Sequence, residues 1–89
     1  MEKKCILVEG CDNVIVATEP MNDGDKAVYP AGTVTVVGSV PVYHKLARTD
    51  IKCGENVVKY GQIIGKANRD IVQGEHVHVH NVTSIRQEF

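Results

Sequence analysis

Residues 74–82, Gly-Glu-His-Val-His-Val-His-Asn-Val, hold three of the four histidines in the chain, at every second position. Imidazole titrates near neutrality, so such a row can move protons, hydrogen-bond or ligate a transition metal. On an extended strand His76, His78 and His80 share one face, while Val77 and Val79 take the other. At ~3.3 Å per residue, neighbours in the row lie roughly 7 Å apart, so a straight strand lets adjacent pairs share an ion but not all three. A metal site would need His76 with His78, or His78 with His80, plus a ligand from elsewhere, and His44 is the one other histidine. A solvated row, structural hydrogen bonds to a neighbouring strand, a subunit interface and a substrate-facing acid–base role all stand beside that reading. Asn81 falls on the opposite face, or at the strand end where the chain turns.

A second stretch, Val40-Pro41-Val42-Tyr43-His44-Lys45-Leu46-Ala47, sets a titratable ring beside a cation. Pro41 marks the start or the edge of a strand. Facing an oxyanion substrate, Lys45 would pair with a carboxylate and His44 would donate or accept a proton. The alternative is an exposed polar pair on an edge strand.

The elements that must position these residues are strands. Fifteen Val and seven Ile against two Leu favour pleated sheet. Short apolar runs at 5–8, 14–17, 33–37, 57–59, 63–66 and 76–80 alternate with turn signals. Residues 57–64 read as two strands meeting near Gly61. Around residues 19–25, Pro20 and the run Asn22-Asp23-Gly24-Asp25 allow at most one helical turn. An internal repeat is plainer: Asp50-Ile51-x-x-Gly54-Glu55-x-Val57 returns as Asp70-Ile71-x-x-Gly74-Glu75-x-Val77. Each copy reads as a tight turn with a core Ile, a Gly in a special backbone conformation and a following strand. Residues 29–34 are a weaker third candidate.

A chain of 89 residues implies one domain over 1–89, mainly β, with a core near the lower size limit. A formal net charge of −1 and no Trp argue against nucleic-acid or anionic-membrane binding. Cys5, Cys11 and Cys53 form no close pair, so neither a disulfide framework nor a zinc knuckle is indicated. Without a run resembling a signal peptide or membrane span, the expected location is the cytoplasm. Exposed strand edges make homo-oligomerisation plausible.

The ordered set His44-Lys45-Leu46-Ala47, Asp50-Ile51-x-x-Gly54-Glu55-x-Val57-x-Lys59-Tyr60-Gly61-x-Ile63-Ile64-Gly65 and Asp70-Ile71-x-x-Gly74-Glu75-His76-Val77-His78-Val79-His80-Asn81 closely resembles the SAF domain of the altronate and galactarate dehydratase family. Asp12-Asn13-Val14-Ile15-Val16-Ala17 resembles it more loosely. The resemblance implies a small β-clip fold, here in the form of a separate small subunit that docks on a large dehydratase subunit. It implies a hydro-lyase acting on a sugar acid, inactive alone, or alternatively a sulfolactate sulfo-lyase subunit. It also implies a divalent metal, iron or manganese, held mainly by the large subunit. On this view His44, Lys45 and His78 take catalytic roles, and His76, His80 and Asn81 bind substrate. A non-catalytic carbohydrate-binding or assembly module and a stand-alone metal-binding protein are the competing expectations. Tyr43 departs from the family pattern, which has a small residue, often Gly, before the His-Lys pair, so the substrate could differ from altronate.

Overall fold

The chain is described by a computed structural model over residues 1–84. Its strands are β1 (Glu2–Ile6), β2 (Val14–Ala17), β3 (Lys26–Tyr29), β4 (Gly32–Thr35), β5 (Lys45–Ala47), β6 (Asn56–Lys59), β7 (Gln62–Ala67), β8 (His76–Val77) and β9 (Val82–Ser84). They form a six-stranded sheet, β4-β3-β1-β2-β5-β8, and a three-stranded sheet, β6-β7-β9. Every pairing is antiparallel except β1 with β3. No helix occurs among the described residues, as the Val and Ile bias predicts.

Corners organise this architecture. At Asn22-Asp23-Gly24-Asp25, Lys52-Cys53-Gly54-Glu55 and Val72-Gln73-Gly74-Glu75, the fourth N–H donates to the first carbonyl at 3.0, 2.9 and 3.1 Å. The third residue is a glycine at φ 88, 89 or 91, the angle a type II turn demands at that place and that side chains resist. The acid then reaches back to accept the first residue's N–H, at 2.8 Å for Asp25, 2.6 Å for Glu55 and 3.1 Å for Glu75. Each glycine N–H also donates to a backbone carbonyl, of Val36, Ala67 and Ala47, and those residues donate back to the carbonyls of Asp25, Glu55 and Glu75.

A fourth corner has the same backbone. His44 N donates to Pro41 O, Tyr43 N to Ala17 O, and Ala17 N to His44 O. The residues before the corners, Met21, Val40, Ile51 and Ile71, are each 1% exposed. They bond reciprocally in two pairs, Met21 with Val40 and Ile51 with Ile71, and each pair sits in its own apolar cluster. The first contains Ile15, Val34, Val36 and Leu46, and the second Val14, Val57, Ala67 and Val77. Strands β2 and β5 serve both clusters, because alternate side chains leave opposite faces of a strand.

The repeat is thus real, but its further copies lie at 21–27 and 40–46. Residues 29–34 form the β3–β4 hairpin instead, with Tyr29 opposite Gly32. The periodicity escaped notice because Met21 and Asp25 stand where the other copies carry Ile and Glu. Residues 19–25 likewise make a β-corner in place of a helical turn. Loop 9–13 is tied to the β6–β7 hairpin by Asp12, a buried carboxylate that accepts the N–H groups of Tyr60 and Gly61 at 3.0 and 2.8 Å. Tyr60 and Gly61 have φ 56 and 72, the pair of positive angles a two-residue hairpin turn needs.

The cysteines differ in setting. Cys5 is buried and its thiol is pushed up to about 11 by desolvation, whereas Cys11 and Cys53 are exposed. Since the thiolate is the reactive form, a colorimetric thiol reagent at pH 8 should titrate Cys11 and Cys53 promptly in the native protein. Cys5 should react only after denaturant is added; three prompt equivalents would contradict the packing of β1.

Candidate functional site

The corner at 41–44 breaks the rule that the other three keep. Pro41 has no N–H to be capped, and His44 stands where Asp25, Glu55 and Glu75 close their own turns. Released from that task, the His44 ring leans toward β8, where Nδ1 lies 2.9 Å from His76 Nε2, one donating to the other. Tyr43 holds the glycine position of the corner at φ 67, a left-handed conformation that favours glycine, the residue the resemblance leads one to expect there. Its side chain is 76% exposed beside the cluster. Tyr43→Gly removes a left-handed penalty of about 1–2 kcal/mol at an entropic cost of about 0.5–1 kcal/mol. The expected outcome is an unchanged or slightly higher melting temperature; a clear fall would mean that the phenol is itself structural.

The histidine row is not a straight strand. Only His76 and Val77 belong to β8, and residues 78–81 turn. Asn81 enforces that turn: its Oδ1 accepts His78 N at 3.0 Å and its Nδ2 donates to His76 O at 2.8 Å. Asn81, expected to contact substrate, is 0% exposed, and its side-chain amide is engaged by the backbone of this turn. The turn folds the His78 ring over His44, with centroids 4.6 Å apart, and brings His80 within 5.1 Å of His76. His44, His76 and His78 each offer a nitrogen, and these donors all lie within 4.8 Å of one another. His80 is exposed, with its carbonyl held by Arg69.

Lys45 is not an exposed edge residue. It is 5% exposed, on β5 between β2 and β8, opposite Val16 and Val77. Burial, then the charge of Lys59, lowers its amine to about 8. His76 is lowered to about 4, by burial first and then by His80, His44, His78 and Lys45. His78 is lowered too, by burial and then by His44, Lys45 and His80. Both rings are therefore neutral at pH 7, the form that accepts a proton or ligates a metal. The donor set suits a divalent transition ion, because imidazole nitrogen binds such ions well.

The family model described as the altronate/galactarate dehydratase SAF domain matches residues 3–85. The chain belongs to that family. As an SAF domain it is similar to altronate dehydratase of Escherichia coli, at 45% identity over 76 residues, which is 85% of this chain and 15% of that protein. Altronate dehydratase of Bacillus subtilis is 37% identical over 79 residues, 89% of this chain and 16% of the relative. The domain thus spans about one sixth of these two relatives. It is also 38% identical over 81 residues to the (2R)-sulfolactate sulfo-lyase subunit alpha of Chromohalobacter salexigens, covering 91% of this chain and 82% of that subunit.

Proposed function

We propose that this SAF domain is the small subunit of a lyase that eliminates water from a sugar acid, and that it forms one wall of an active site completed by a large subunit. The observation that carries this is the convergence of His44 with His76 and His78, residues 32 and 34 positions away in sequence, above a buried lysine. Exposed Val42, Tyr43 and Val79 lie next to these residues in the chain, an apolar border suited to a partner surface. The relatives' names, dehydratase and sulfo-lyase, both describe eliminations.

In the reaction a base takes the proton from the carbon beside the carboxylate, and the electron pair forms a double bond as hydroxide leaves the next carbon, protonated to water. The enol then rearranges to a 2-oxo acid. When they hold no ion, the rings of His44 and His78 take or return the proton. Lys45, in its charged form, favours carboxylate nearby, and His76 and His80 orient the hydroxyl groups. A divalent ion, iron or manganese, supplies charge that stabilises the enediolate when bound. We place the assembled enzyme in the cytoplasm.

A second reading follows the relative named (2R)-sulfolactate sulfo-lyase subunit alpha, to which the chain is 38% identical. Sulfite would then leave in place of water. The test is to assay 2-oxo acid formation from altronate, galactarate and sulfolactate with the domain, the large subunit and their mixture. Turnover in the mixture alone is expected, and the substrate consumed decides between the readings. A stable complex inactive on all three would make the domain an assembly module.

A further inference from the structure

We propose that His44, His76 and His78 together form a binding site for one divalent transition-metal ion, gripping it on one face and leaving the opposite face for an anionic oxygen ligand. The inference deepens the lyase reading, and rests on it for the identity of that anion; with the ion held, His44 and His78 act as ligands and the proton transfer passes to another group of the assembled site, and the attachment of the ion to the chain does not depend on that reading.

Geometry carries the argument. The three donor nitrogens lie within 4.8 Å of one another, and His44 Nδ1 and His76 Nε2 are 2.9 Å apart. Metal–imidazole bonds of about 2.0–2.1 Å set nitrogens roughly 3.4 Å apart around a tetrahedral ion, so side-chain rotations of about 1 Å close the set. Each ring is delivered by a different device: His44 by the corner without a cap, His76 by its place opposite Leu46 in the β5–β8 ladder, and His78 by the turn that buried Asn81 holds. A hydrogen bond between His44 and His76 needs no third ring. The Asn81 turn nevertheless stacks His78 against His76 with an interplanar angle of 12° and against His44 at 4.6 Å. Glu75, the nearest acid in sequence, is engaged by Val72 N at 3.1 Å and Asn81 Nδ2 at 3.5 Å.

The chemistry of the set also selects its ligands. Three neutral nitrogen donors leave the whole charge of a divalent ion uncompensated, and Lys45 adds to it. The open face therefore takes an anion, of which a substrate carboxylate is the natural example. Imidazoles in this number favour iron, cobalt, nickel or zinc over magnesium or calcium, which take oxygen ligands.

The experiment is a titration of the chelator-stripped full chain with cobalt(II), followed by displacement with zinc(II). One equivalent should bind and produce visible ligand-field bands. In the wild-type chain, paramagnetic shifts should reach the ring signals of three histidines and spare the direct-ligation pattern at His80. His44→Ala, His76→Ala and His78→Ala, each checked for folding by circular dichroism, should weaken binding by about 100-fold or more, beyond what loss of an outer-shell group costs. His80→Ala should leave affinity within about threefold, since it removes no ligand. Absence of binding, or equal losses with all four variants, would overturn the site, the latter marking loose surface adhesion. Turnover in the two-subunit mixture without cobalt or zinc binding by this chain would sink the metal site and leave the lyase reading intact. Binding without turnover on any hydroxy acid would do the reverse.

Discussion

Gly74→Ala should leave the chain unfolded at temperatures where the wild type is folded. A Cβ at this position collides with the backbone carbonyl oxygen of Thr35 and meets Thr35 C at 3.0 Å, and φ is 91. The obstacle is backbone, so no rotamer change relieves it. Gly74 also joins the corner at 72–75 to residues beyond it, since Gly74 N donates to Ala47 O while its carbonyl accepts Val37 N. The loss combines a left-handed penalty of about 1–2 kcal/mol with displacement of packed backbone, and about 4 kcal/mol or more is expected. A domain of this size has little beyond that to lose. Gly24 and Gly54 have nearly the same φ but nothing within 4 Å of the added carbon. Their Ala variants should therefore lose only the conformational share, about 1–2 kcal/mol. Thermal melts of the three variants give the comparison; three similar losses would mean that the approach of Thr35 to Gly74 does not set the stability of this corner.

The second large effect concerns Lys45→Met in the proposed two-subunit assembly. Methionine keeps much of the buried stem and removes the amine, which separates packing from chemistry. If Lys45 serves the substrate carboxylate or a proton transfer, turnover should drop by about 10²–10⁴. Lys59→Met, at the neighbouring cation, should change turnover by less than about tenfold. The readout is kcat and KM on the mixture of subunits, with subunit affinity measured in parallel. Unchanged turnover with weakened assembly would remove Lys45 from the chemistry and make it part of the docking surface.

Much of the scaffold is legible in the sequence, because Gly54 and Gly74 each punctuate an Ile, acid and Val at fixed offsets, and β-branched residues fill the strands between them. Two things were hidden. Strands β3 and β5 are framed by corners in which Met21, Asp25, Val40 and His44 replace the residues of the clearer copies, so similarity of letters fails where similarity of hydrogen bonding persists. The convergence of His44 on the histidine row was hidden as well. Alternation forecasts an extended row, but a single buried side chain, Asn81, bends it, and one amide competing for backbone partners leaves no periodic trace. The signal that could have been used was the Pro41 and His44 exception, visible only once the four corners are aligned.

Redundancy in the scaffold has a consequence for how this domain can change. Three corners lock themselves with their own carboxylates, so the frame does not rely on the corner at 41–44 doing the same, and position 44 can carry a ring that reaches His76 instead. By the same logic positions 25, 55 and 75 are interchangeable addresses. A chain that restored a clasp at 44 and surrendered one elsewhere could turn a different side chain outward while retaining its architecture, which makes this small domain an evolvable mount as much as a fixed one.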